Sequence, residues 1–119
     1  MLYKFFILLL PLALFSSEVV LKNSATIKGW NSVDYKVNIK SGQKLRVDLN
    51  ASNRFVFFNV NPPNSNISIF VGNNMAEPNR YESKLLKSGE YIINVYFMRV
   101  EARRNHIATF DLDVKIYGD

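Results

Sequence analysis

Hydrophobic and polar residues alternate along most of the chain. Val33, Tyr35, Val37 and Ile39 fall on one side, with Asp34, Lys36 and Asn38 on the other; Leu45, Val47 and Leu49 then oppose Arg46, Asp48 and Asn50. Successive side chains of a strand leave opposite faces, so this period predicts two half-buried strands. The intervening Lys40-Ser41-Gly42-Gln43 predicts a hairpin between them, with Gly42 at positive φ. Residues 54–60 carry Phe55, Val56, Phe57 and Phe58 almost without interruption, as expected of a strand covered on both faces. Asn61-Pro62-Pro63-Asn64 ends that strand, because proline donates no ladder hydrogen bond. Ile67, Ile69 and Val71 predict the next strand, and residues 72–80 an asparagine-rich loop. Residues 81–86 read as extended, Lys87-Ser88-Gly89-Glu90 as a tight turn, and residues 91–98 as a strand. Phe110, Leu112, Val114 and Ile116 mark the last strand; a short early one is expected around Thr26-Ile27-Lys28, and a helical turn within residues 100–105. Seven to eight short strands with Gly, Pro and Asn turns predict an all-β, antiparallel, jelly-roll-like β-sandwich. Their order is not readable from the pattern.

The N-terminus departs from this alternation. Met1-Leu2-Tyr3-Lys4 leads into an apolar run over residues 5–15, followed by Ser16-Ser17-Glu18. A charged start, an apolar stretch of this length and a small-residue exit describe a secretory signal peptide. A membrane anchor needs ~20 apolar residues, and Pro11 interrupts the run as it would interrupt a core helix. The expected division is a signal peptide at residues 1–17, cut near Ser17-Glu18, and a β-sandwich domain at residues 18–119. With no cysteine to carry a lipid, no membrane association is expected after cleavage.

Roughly 100 mature residues make one domain, and a chain of that size hides about two thirds of its unfolded surface. Export without a single cysteine leaves packing to supply stability, and of the nine Phe, six Tyr and one Trp in the sequence, six Phe, five Tyr and the Trp follow residue 17. That combination fits a bacterial periplasm, or secretion from a bacterium, better than animal secretion. Asn50-Ala51-Ser52 and Asn66-Ile67-Ser68 are then chance glycosylation sequons. Loss of Lys4 takes the formal charge from +5 to +4. The lysines are scattered, so the excess favours solubility and does not make a nucleic-acid footprint.

Catalytic constellations are sparse. The absence of cysteine excludes thiol catalysis and zinc–thiolate sites, and His106, the only histidine, has no second imidazole for a metal pair. His106 reads as a solvated loop residue, and no serine sits in a nucleophile-elbow context. Asp111 and Asp113 share one face of the last strand, the arrangement of paired carboxylates in glycoside hydrolysis or of calcium ligands. Opposite Phe110 and Leu112 that face is solvent, and further oxygen ligands are not evident. No enzyme, metal or cofactor is expected. The densest chemistry is Arg99 with Arg103 and Arg104, where Arg99 and Arg103 share a face if the turn is helical. These arginines either pair internally, with Glu101, Glu90 or Asp34, or form a forked donor surface for a partner's carboxylate. The residues alone do not decide between the two.

Three blocks carry a resemblance: Ile27-Lys28-Gly29-Trp30 followed by Tyr35; Ser41-Gly42-Gln43-Lys44-Leu45; and Ser88-Gly89-Glu90-Tyr91 running on to Arg99, Ala102, Arg103, Arg104 and Asn105. In these the chain resembles the periplasmic inhibitors of g-type lysozyme, a bacterial family with a sandwich like the pre-peptidase C-terminal domain. The resemblance implies a protein partner, g-type lysozyme, inhibited by loops entering its active-site cleft. It also implies Tyr35, Arg99, Arg103 and Arg104 as the partner-binding residues. The chain departs from the pattern at Val100, where a polar residue is typical, and at Trp30, where Tyr is common. A carbohydrate- or peptidoglycan-binding module of the bacterial envelope is the alternative, suggested by aromatics such as Trp30, and a structural envelope protein a third reading.

Overall fold

The computed structural model describes residues 18–118; the expected signal peptide lies outside them. Strands β1 (Glu18–Lys28), β2 (Val33–Ile39), β3 (Lys44–Ala51), β4 (Val56–Asn61), β5 (Phe70–Val71), β6 (Arg80–Lys84), β7 (Gly89–Phe97) and β8 (Ile107–Tyr117) follow in order. A 3-10 turn (Gly72–Asn74) precedes β6, and one short helix, α1 (Arg99–Arg103), separates β7 from β8.

The strands form two four-stranded sheets of order β1-β8-β3-β6 and β2-β7-β4-β5, with every pairing antiparallel. The first strand pairs with the last, the second with the seventh, the third with the sixth and the fourth with the fifth. This is one long nested hairpin rolled over on itself, the jelly roll expected from the strand count and turns. Successive strands up to β4, and again from β5 to β8, lie in opposite sheets, so most connections cross the core.

Alternation dictates what fills that core. Leu45, Val47, Leu112 and Val114 of one sheet face Phe58, Val60, Ile93 and Val95 of the other, all fully buried. Each such side chain contributes about 1.5–3 kcal/mol through burial. Aromatic contacts bridge the two sheets. Phe70 stacks on Phe58 at 4.9 Å and meets Tyr81 of the facing sheet at 5.1 Å, while Tyr35 meets Phe110 edge-on at 6.4 Å. The outer faces are polar. There Asp48 lies opposite Asp113 across β3 and β8, a like-charge register that cations offset. Burial works against the Asp48 charge, but hydrogen bonds from Arg80 and Arg46, at 2.7 and 2.9 Å, outweigh it and hold the carboxyl below its ordinary value. Asp111 and Asp113 project to solvent together, as the alternation required.

Several expected details differ. The Lys40–Gln43 turn forms, with Gln43 N–H bonded to Lys40 O at 3.0 Å and Gly42 at φ 97°, but it is not a hairpin. It carries the chain from β2 in one sheet to β3 in the other, because each strand's apolar side must face the opposing sheet. The strand expected over Ile67, Ile69 and Val71 shrinks to Phe70–Val71: Ile67 and Ile69 are exposed, and the preceding prolines leave β4 little partner backbone. Gly89 and Glu90 already belong to β7, so the bend before it falls earlier than expected. β1 runs eleven residues rather than three, since residues 18–25 are also paired one by one with β8.

Phe58→Ala opens a cavity between the sheets and removes the stack on Phe70, so it should lower unfolding stability by about 3–5 kcal/mol. Lys36→Ala, on the solvent face of β2, should stay within about 0.5 kcal/mol of the parent. Urea denaturation of both variants checks the pair.

Candidate functional site

Because odd-numbered strands run one way and even-numbered strands the other, four connections gather at one end of the sandwich: β1–β2, β3–β4, β5–β6 and β7–β8. Backbone hydrogen bonds knit them together. Met98 N–H donates to Phe55 O at 2.9 Å, Gly29 N–H to His106 O at 2.9 Å, and Ser52 N–H to Thr109 O at 2.9 Å. These bonds set the position of α1, the segment that carries the arginine block.

The local sequence explains the shape of that segment. Ala102 N–H bonds Met98 O at 2.9 Å and Arg104 N–H bonds Val100 O at 3.2 Å, closing a little over one helical turn. Asn105 stops it in the left-handed region, at φ 60°, a conformation asparagine tolerates better than most residues. Gly29 sits against this stop: a Cβ there would lie 2.5 Å from Asn105 Oδ1, and its φ of 59° disfavours a side chain in any case. Ala102 is buried, and the small side chain lets α1 lie close on the end of the core.

Glu101 points the same way and is the one buried charged residue among those described. Its carboxylate accepts hydrogen bonds from His106 Nδ1 at 2.8 Å and Asn53 Nδ2 at 3.1 Å. Asn53 in turn caps its own corner by accepting from Phe55 N–H at 2.8 Å. The hydrogen bonds from His106 and Asn53 hold the Glu101 carboxyl below its ordinary value, against the opposing effect of burial. One carboxylate thus ties α1 to the β3–β4 corner and to the start of β8. His106 is an exposed loop residue, as expected, and its ring in addition bonds Glu101. Glu101 does not pair with the arginines, because its oxygens face inward.

With Glu101 and Ala102 turned inward, Arg99, Arg103 and Arg104 are left on the exposed side. Among the described residues none of the three forms an ion pair, and Asp34 is engaged by Asn94 Nδ2 at 2.6 Å instead. Arg99 and Arg103 are four apart on one turn and stand together as the sequence suggested. Tyr35 is the third residue of β2, the strand that leaves the β1–β2 turn at this end. It is half-buried on the inward side of β2 against Phe110, and burial raises its hydroxyl above the ordinary value.

Two residues not singled out as site residues join the end surface. Trp30 is 67% exposed on the β1–β2 turn and lines a shallow groove with Asn73, Tyr96, Met98, Arg99 and Val100. Arg54, at the β3–β4 corner, is exposed, with its guanidinium 4.8 Å from the Phe55 ring. Reading residues 54–60 as strand hid Arg54; the polar Ser52-Asn53 before it was the available sign of a corner.

Glu101→Gln should keep the Asn53 contact but lose the charge-assisted bond to His106. A carboxylate held below its ordinary value of 4.5 adds stability that is full above that pH and fades as pH falls through the lowered value. The melting temperature of the parent should therefore exceed that of Glu101→Gln at pH 7, with the gap closing in acid. A gap independent of pH would contradict the assignment.

No protein-family profile and no curated protein sequence matches the chain. Solved structures do. The periplasmic inhibitor of g-type lysozyme PliG from Aeromonas hydrophila superposes with a TM-score of 0.69 at 28% identity, over 90% of this chain and 92% of that one. A mutant of the Escherichia coli PliG gives 0.61 at 26% identity, over 82% and 86%. The Salmonella Typhimurium PliG, at 24% identity and a TM-score of 0.62, covers 82% of this chain and 90% of its own, and shares the fold. In fold, and in sequence over most of its length, the chain is similar to the periplasmic inhibitors of g-type lysozyme, the family its arginine block resembles.

Proposed function

We propose that the protein is a periplasmic inhibitor of g-type lysozyme that acts by binding and performs no catalysis of its own. The observation that carries this reading is the end surface: Arg99 lines a groove with exposed Trp30, Arg103 and Arg104 stand exposed on the same short segment, and none of the three has a carboxylate partner among the described residues. Arg and Trp are the residue types that dominate binding energy at protein interfaces. A lysozyme cleft offers what the arginines lack, because glycoside cleavage relies on carboxylates at its floor. A guanidinium held by a rigid turn can meet such a group with paired hydrogen bonds and exclude the sugar chain. Similarity to proteins named as inhibitors of g-type lysozyme supports the choice of partner.

Tyr35 enters this proposal indirectly. Its ring against Phe110 steadies β2 below the β1–β2 turn, so its contribution is to the placement of Trp30. Val100, 40% exposed on the groove wall, presents an apolar surface to the partner. Exposed Trp30 also favours a second reading, in which the groove stacks on a sugar of peptidoglycan. Retention of the protein on purified sacculi, lost in Trp30→Ala, would support that reading, and no retention would remove it.

Titration into a g-type lysozyme assay decides the main reading: micromolar protein should slow the enzyme. Arg103→Ala should weaken inhibition by about 2 kcal/mol or more, roughly thirtyfold, while Lys36→Ala should leave it within about twofold. Equal losses in the two variants would reduce the effect to non-specific charge.

A further inference from the structure

β1 is an edge strand: residues 18–28 pair throughout with β8, and nothing in the described chain pairs with the other side. Edge strands in monomeric proteins are usually blunted by a proline, a bulge, shortness or an inward charge, because an open row of N–H and C=O groups invites another strand. Charged side chains, lysine above all, blunt an edge as well, and of all these devices β1 has only Glu18, Lys22 and Lys28. It is eleven residues long, carries no proline or glycine, and keeps an unbroken register. Its first half is also exposed and apolar: Val19, Val20 and Leu21 are 48, 52 and 39% exposed, and Val20 stands on the outer face, where the alternation calls for a polar residue.

We propose that two copies of the protein associate through β1, antiparallel about a two-fold axis at Val20, joining their β1-β8-β3-β6 sheets into one continuous sheet. The register follows from the residues. With Val20 opposite its own copy, Val19 meets Leu21 and Glu18 meets Lys22, twice over by symmetry. Apolar side chains then cover apolar ones, and each acid faces a base. Glu18, Val20 and Lys22 share the outer face with their β8 neighbours Tyr117, Lys115 and Asp113, so both outer faces stay on the same side of the joined sheet. Other registers fit less well. Centring on Leu21 sets Val19 against Asn23 and Val20 against Lys22; centring on Lys22 sets two ammonium groups together. Centring on Asn23 matches Val19 with Ile27, which is already covered at 1% exposure, and drives the second strand into the Gly29 turn. The contact leaves the arginine end free, since residues 18–22 are the half of β1 that pairs with the far end of β8, at Asp113 to Tyr117.

Within each copy Glu18 already meets Lys115 at 3.0 Å and Lys22 lies 3.7 Å from Asp113. These internal bridges make a charge swap diagnostic. Glu18→Lys or Lys22→Glu alone creates two like-charge contacts across the axis, whereas the double variant Glu18→Lys/Lys22→Glu restores both intermolecular pairs while leaving both internal bridges broken.

Sedimentation equilibrium of protein purified from the periplasm of an expressing host tests the proposal. The parent should show a monomer–dimer equilibrium. Each single swap should raise the dimer dissociation constant by about tenfold, and the double swap should recover most of that loss. Val20→Lys, which places like charges on the axis, should give monomer alone. A parent that stays monomeric to millimolar concentration overturns the proposal, and so does a dimer that Val20→Lys leaves intact. Far-ultraviolet circular dichroism of each variant separates loss of association from loss of fold.

Discussion

Burial of two apolar stripe sets against each other is the constraint on which the rest of this molecule depends. Without a cysteine, no covalent link holds the two sheets, and their inward faces alone must offset the entropy of ordering the chain. Period-two alternation puts Leu45, Val47, Phe58, Ile93 and Leu112 inside, and the nested pairing lets every long strand find a partner, with no buried side-chain nitrogen or oxygen left unsatisfied among the described residues. The same nesting sends four connections to one end. Loops are therefore grouped on a rigid scaffold before any of them acquires a role, which is the usual relation between scaffold and binding surface.

At that end, one buried carboxylate organises the chemistry. Glu101 satisfies donors from two neighbouring segments, His106 and Asn53, and in doing so gives α1 an inside and an outside. The outside is what remains: three arginines and Val100, bordered by Trp30. Had Glu101 turned outward, it would have neutralised the arginines it sits among. Its inward orientation is thus what distinguishes a solvated ion-pair network from a surface with unspent donors. A buried charge costs free energy unless it is hydrogen-bonded, and here His106 and Asn53 both bond the carboxylate.

The architecture was legible in the sequence because alternation is a local signal and the two-sheet outcome follows from having many such strands. Strands at residues 33–39 and 44–51 could be placed closely for the same reason, while the last, marked from Phe110 to Ile116, begins three residues earlier at Ile107. Partner choice could not. Whether Ser41-Gly42-Gln43 closes a hairpin or crosses between sheets depends on β7 and β8, which lie far along the chain. The strand around Ile67 failed because apolar character alone does not supply a neighbour with free hydrogen-bonding groups. In the site, the helical turn and the shared face of Arg99 and Arg103 were readable from their spacing. The partners of Glu101 and His106 were not, since Asn53 lies 48 residues away from Glu101 in sequence. Tyr35 was singled out by resemblance, and only its place on the inward side of β2 showed it to be packing against Phe110.

The central claim is that the arginine end of the sandwich is the face that meets g-type lysozyme. Hydrogen–deuterium exchange of the protein with and without the enzyme tests it most directly. The account predicts slowed exchange in the segments at residues 28–32, 52–55 and 98–106, with the β2–β3 and β6–β7 connections at the opposite end unchanged. Slowed exchange confined to that opposite end, or to the sheet faces, would contradict it.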